Sequence, residues 1–104
     1  MLKYDVQISK TAEDDIQEIY DYIALVSNNR AISFIEELEN QINKLEKIPE
    51  RCPVILESQE IGVELRHLIY GNYRTIFQIE NQKVYILRII NCARLLNLEM
   101  FTNL

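Results

Sequence analysis

The sequence predicts an α+β fold, β-α-α-β-β-β, with a helical hairpin packed on one face of a mostly antiparallel four-stranded sheet. Three observations lead there. Residues 2–8 alternate apolar and polar, the period of a half-buried strand. Residues 12–45 carry two apolar stripes at intervals of three and four, as amphipathic helices do. Residues 65–94 hold three strand-like runs divided by Gly71-Asn72 and by Glu80-Asn81-Gln82-Lys83, both good hairpin turns.

In the first strand Leu2, Tyr4, Val6 and Ile8 alternate with Lys3, Asp5 and Gln7. Thr11-Ala-Glu-Asp14 then resembles a capping box, and Glu13, Asp14 and Asp15 bring negative charge to the first helical turn, where the dipole favours it. Ala12, Ile16, Ile19, Ile23 and Val26 form the inward stripe. Ser27-Asn28-Asn29 breaks the helix and offers caps to the next. The second helix is predicted from about Arg30 to Lys47, with Ala31, Phe34, Ile35, Leu38, Ile42 and Leu45 inward and Pro49 as its stop. Two helices joined by so short a turn make an antiparallel hairpin. Residues 50–64 contain Pro53 and Gly62 and show no period, so they read as a connecting loop, with Val54–Leu56 as the one stretch that could form a short strand.

Pairing Tyr70 with Tyr73 sets His67 opposite Ile76 and Ile69 opposite Arg74. Pairing Ile79 with Val84 sets Phe77 beside Ile86 and Arg74 beside Ile89. One face then collects Leu68, Phe77, Ile79, Val84, Ile86 and Ile90, bordered by Tyr70, Tyr73, Thr75, Arg66 and Arg88. This face is the expected floor for the helices. The other collects Leu65, His67, Ile69, Arg74, Ile76, Gln78, Tyr85, Leu87, Ile89 and Asn91, a mixture suited to an open binding groove. The division holds only in this register, because a slip of one residue exchanges the faces.

The 104 residues fit one domain, 1–104, long enough to bury roughly 65% of its unfolded surface. Apolar residues make up 48% and charged residues 26%, ordinary for a globular chain. No run approaches the ~20 apolar residues of a membrane helix, and Met1-Leu-Lys-Tyr-Asp5 lacks a signal-peptide core. The expectation is a cytoplasmic chain without membrane contact, and in that compartment Cys52 and Cys92 are free thiols. A single histidine and no Cys-x-x-Cys spacing point to no metal, and no motif calls for a cofactor.

Charge is uneven. Residues 1–50 hold eleven acids and five bases, whereas residues 51–104 hold five acids and six bases. Net charge is −5, which disfavours indiscriminate nucleic-acid binding. Yet Arg66, Arg74, Lys83, Arg88 and Arg94 lie within the predicted meander with Glu80 as its only acid. Of these, Arg66 and Arg88 fall on the helix side and are expected to reach acidic helix surfaces. Arg74 on the groove side and Arg94 just past the last strand remain as site candidates. His67, set between apolar neighbours, suits a partly buried structural role ahead of a catalytic one.

This order of elements resembles the RelE/ParE toxin superfamily of bacterial type II toxin–antitoxin systems, from Tyr4 to about Arg94. The resemblance is carried by Ser9-Lys-Thr-Ala-Glu-Asp-Asp-Ile16, Ile19-Tyr-Asp-Tyr-Ile23, Leu65-Arg-His-Leu68, Gly71-Asn-Tyr-Arg-Thr-Ile-Phe77 and Asn91-Cys-Ala-Arg94. It implies a toxin neutralised by a cognate antitoxin in a hetero-oligomer. RelE-type members cleave mRNA on the ribosome, and ParE-type members poison DNA gyrase. A metal-free ribonuclease needs groups to activate the 2′-hydroxyl, stabilise the phosphate and protonate the leaving oxygen. By resemblance Arg74 and Arg94 occupy the two arginine positions of the RelE pattern. Its lysine positions fall on Leu65 and His67, and its tyrosine position falls near Met100, beside Phe101. That departure and the sequence pI of about 4.8 place the chain closer to the ParE branch, although Asn91 stands where that branch often carries histidine.

The expectation is therefore a plasmid-stabilization type toxin that inhibits gyrase. The alternatives are an mRNA endonuclease using Arg74, Arg94 and His67, and an inactive antitoxin-binding member. Ile69, Arg74, Ile76, Leu87, Ile89, Asn91 and Arg94 form the expected partner-binding set. The apolar segment Leu95-Leu96-Asn-Leu98-Glu-Met100-Phe101 either closes the core or offers surface to the antitoxin.

Overall fold

The computed structural model describes residues 3–96. Strand β1 (Asp5–Ile8) leads into helices α1 (Lys10–Ala24) and α2 (Asn28–Asn43), followed by 3-10 turns at Lys44–Glu46 and Pro49–Arg51 and the one-turn helix α3 (Ser58–Ile61). Strands β2 (Arg66–Tyr70), β3 (Tyr73–Glu80) and β4 (Lys83–Asn91) complete a sheet of order β1-β4-β3-β2. Only the β1–β4 pairing is parallel. The predicted α+β architecture is the one found.

The capping details differ from the sequence reading. Ser9, and not Thr11, caps α1: its Oγ accepts from the Ala12 N–H at 3.1 Å and donates to the Leu87 carbonyl at 3.1 Å. The helix start is thereby tied to β4. Helix α1 ends at Ala24, which leaves Val26 outside its inward stripe and exposed. Ser27 caps α2 by accepting from the Arg30 N–H. Beyond Asn43 the chain tightens into a 3-10 turn that still buries Leu45.

The main core lies between the helices and the sheet. Ala12 and Ile19 from α1 and Leu38 and Ile42 from α2 pack on Phe77, Val84, Ile86 and Ile89. Leu38 and Phe77 are fully buried, each worth roughly 2–3 kcal/mol in surface removed from water. Phe34 of α2 stacks near Tyr70 and Tyr73, with ring centroids 5.0 and 5.8 Å away. It sits over the β2–β3 turn, where Gly71 has φ +58° and an added Cβ would meet the Phe34 ring at 3.0 Å. Backbone sign and side-chain clearance both require glycine there.

The pairing at both hairpin turns is as predicted, but β4 carries a bulge. Phe77 pairs with Ile86, whereas Ile76 pairs with Arg88, so Leu87 is the extra residue. Arg74 therefore faces Ile90 instead of Ile89. The consequence is an exchange: Ile89 joins the helix-covered core and Ile90 the opposite face. Asp15 holds the bulge. Its carboxylate accepts from Arg88 Nε at 2.8 Å, Arg88 Nη2 at 3.0 Å and the Ile89 N–H at 2.8 Å. An extra residue shifts alternation by one, and adjacent isoleucines gave no sign of it.

Candidate functional site

The second face of the sheet is where the predicted groove lies, and the chain itself covers much of it. Ile55, Leu65, Ile76, Ile90 and Leu96 form a second, smaller core, with Ile61 and Leu87 packed at its border. The segment before β2 folds back to make this cover. The Ile55 N–H donates to the Leu65 carbonyl at 2.9 Å, and Val54 bridges Arg66. Ser58 Oγ accepts from the Leu65 N–H and donates to the Leu65 carbonyl. Residues 50–64 are thus more than a connecting loop. Their period is invisible because Ile55 reaches inward from irregular backbone and Ile61 from the single turn of α3.

Arg74 lies beneath this cover, only 6% exposed, where the sequence suggested an open position. Its Nη2 donates to Glu57 Oε2 at 2.6 Å and to the Arg94 carbonyl at 2.9 Å, and its Nη1 stands 3.4 Å from His67 Nδ1. The Leu96 N–H also reaches Glu57 Oε2, at 3.4 Å. One ion pair therefore pins both the segment before β2 and the chain after β4 onto the sheet. Arg74 Nε is buried without a partner among the described residues.

Electrostatics follow from this geometry. The hydrogen bond from Arg74 lowers the pKa of the Glu57 carboxyl, against the opposing effect of burial. Burial lowers the pKa of His67, and the nearby Arg74 charge adds to it, so the imidazole favours its neutral form. Chemically the cluster is a guanidinium engaged through its Nη atoms, beside a carboxylate and an imidazole that favours its neutral form. An anion could reach Arg74 only by competing with Glu57.

The predicted site residues separate into groups. His67, Arg74 and the Arg94 backbone come together. Ile76 is buried in the second core and Ile89 in the first, so neither offers the open partner surface expected of it. Leu87 is half-buried, while Ile69, Asn91 and the Arg94 side chain are exposed. Glu57 was not singled out in the sequence: it sits in the aperiodic segment, and nothing local marks it as a partner for a residue 17 positions later. The expected basic cluster on the sheet is largely neutralised. Arg88 is held by Asp15, Arg74 by Glu57, and Arg66 by Glu64 and the carbonyls of Glu50 and Cys52.

A cleft of about 220 Å³ opens between α1 and the sheet, lined by Glu18, Tyr22, Tyr73, Asn91 and Arg94 above Ile19, Ile89 and Ile90. Burial raises the pKa of Tyr73, with Tyr22 adding to the shift. Cys52 and Cys92 are free thiols. No group of three His, Cys, Asp or Glu side chains among the described residues is placed to hold a metal ion. No described helix is long and apolar enough to cross a membrane. Of the C-terminal apolar segment, Leu96 closes the second core, while Leu98, Met100 and Phe101 lie outside the described residues.

The family model of the ParE toxin of the type II toxin–antitoxin system parDE matches residues 6–96. Among solved structures, the chromosomal ParDE toxin–antitoxin system of P. aeruginosa is similar at a TM-score of 0.68 and 21% identity, over 86% of this chain and 96% of that one. The toxin–antitoxin complex RelBE2 of Mycobacterium tuberculosis gives 0.61 and 20%, over 86% and 99%. A mutant of the E. coli toxin RelE in the free state gives 0.54 and 13%, over 97% and 93%. These likenesses show the shared fold. No curated protein matches the chain.

Proposed function

The chain belongs to the ParE toxin family of type II toxin–antitoxin systems, and from that premise we propose that it arrests growth by contact with DNA gyrase, with no chemistry of its own. The observation that carries this reading is the state of Arg74. A ribonuclease of this fold would need that guanidinium free for a phosphate, yet here Glu57 and the Arg94 carbonyl occupy it. Leu65, which stands at a position where the RelE pattern has lysine, is buried and apolar. A cognate antitoxin holds the toxin in a hetero-oligomer. Its contact is proposed on exposed Ile69 of the second face, with half-buried Leu87 at the margin, and on Asn91 and Arg94 at the mouth of the cleft beneath α1.

One observation favours a second reading, ribosome-dependent mRNA cleavage. Arg74, His67 and Glu57 meet at one point, so charge stabilisation and proton transfer could be assembled there if the ion pair opened. Primer extension on cellular mRNA after toxin induction separates the two. Growth arrest without codon-phased cuts is expected. Codon-phased cuts that vanish in Arg74→Lys would establish the second reading.

A further inference from the structure

Helix α1 turns a surface to solvent that packing leaves unused. Asp14, Glu18 and Tyr22 follow one another at i+4, and Leu25 and Val26 extend the row by three and four. They lie along one side of the helix and its end. Tyr22 is 69% exposed, and Leu25 and Val26 are each 82% exposed. Tyr22 and Glu18 also form one wall of the cleft that Tyr73, Asn91 and Arg94 complete. The apolar tip is therefore continuous with a recess.

Charge says what kind of surface would cover it. Helix α1 carries one base against five acids, and α2 one base against three. Among the described residues, Asp15 pairs with Arg88 of the sheet, and Glu18 lies near the same guanidinium. Lys10 pairs with Asp14 at the far end of α1 from the tip. An apolar centre with a charged border is the anatomy of a protein interface, and tyrosine is a frequent anchor in one. Beside the tip stand Asp21 of α1 and Arg30 of α2, and the two helices together carry eight acids against two bases, so the hairpin as a whole repels nucleic acid and attracts lysine and arginine.

We propose that the tip of the α1–α2 hairpin, centred on Tyr22, Leu25 and Val26, docks on the toxin's target. Its occupant is a basic, nucleic-acid-binding surface of that target with an apolar recess. This inference rests on the reading of the chain as a contact inhibitor of gyrase, and it centres the target on the hairpin tip, across the cleft from Asn91 and Arg94 of the antitoxin contact. The acidic helices supply long-range attraction, and the apolar tip supplies residence.

The test measures binding of the purified chain to purified DNA gyrase as a function of salt, with antitoxin binding and thermal melting as controls. Leu25→Asp with Val26→Asp should weaken gyrase binding about tenfold or more. Asp21→Lys with Glu36→Lys, both at exposed positions of the hairpin, should weaken it at low salt and flatten its salt dependence. Both variants should melt like the wild type and keep the antitoxin. Wild-type gyrase affinity in both variants would overturn the inference, and so would loss of antitoxin binding in step with loss of gyrase binding. A wild-type chain that fails to bind gyrase defeats the target reading before any variant is made, and the inference falls with it.

Discussion

The two faces of the sheet are closed by different means. On one, α1 and α2 lay continuous apolar side chains over Phe77, Val84, Ile86 and Ile89. On the other, irregular chain from both sides of the meander covers Leu65, Ile76 and Ile90, and the Glu57–Arg74 pair fastens it. Apolar packing is insensitive to pH and tolerates repacking. A cover fastened by a charged contact as well as by its smaller apolar core responds to acid. The helical face is thus a foundation, and the second face is the conditional part of the molecule.

The sharpest challenge to that contrast lies at the ion pair between α1 and β4. Asp15 accepts three hydrogen bonds from Arg88 and Ile89, so Asp15→Ala strands a buried guanidinium and a backbone donor. A loss of about 3–5 kcal/mol in urea unfolding is expected. A loss below about 1 kcal/mol would mean that the bulge holds without its carboxylate.

On the second face, Arg74→Ala should cost about 3 kcal/mol, because it leaves Glu57 facing apolar neighbours. Replacing both partners, as in Glu57→Leu with Arg74→Met, should recover most of that loss. If the double variant is no more stable than the single, Arg74 does more than fasten the cover.

The smallest effect is the pH response. Glu57 and His67 both have folded pKa values below their ordinary ones. Each therefore contributes stability that is present above its unfolded pKa and lost as pH falls through the folded one. Acidification should weaken the protein first below about 6.5, through His67, and again below about 4.5, through Glu57. Melting temperature followed against pH checks this: Glu57→Gln should remove the lower stage and His67→Gln the upper. Identical profiles in all three proteins would contradict the assignment.

What was legible in the sequence follows the same division. The helical face was readable because Leu38, Ile42, Phe77, Val84 and Ile86 repeat with a clear period. The turns were readable because Gly71-Asn72 and Asn81-Gln82 sit where the backbone needs positive φ: +58° at Gly71, +50° at Asn81 and +66° at Gln82. The bulge was not, since it exchanged Ile89 and Ile90 without altering composition. The cover over Arg74 was not either. It depends on Ile55, Glu57 and Leu96, contributed by segments without periodicity and far apart in sequence, so an arginine that is buried and paired looked exposed and available.

The proposed action of this chain is contact with DNA gyrase. Purified toxin titrated into a DNA gyrase supercoiling reaction tests that most directly. Dose-dependent loss of supercoiling, retained in Arg74→Lys and reversed by the antitoxin, is the predicted result. Full supercoiling at toxin concentrations that stop cell growth would contradict it.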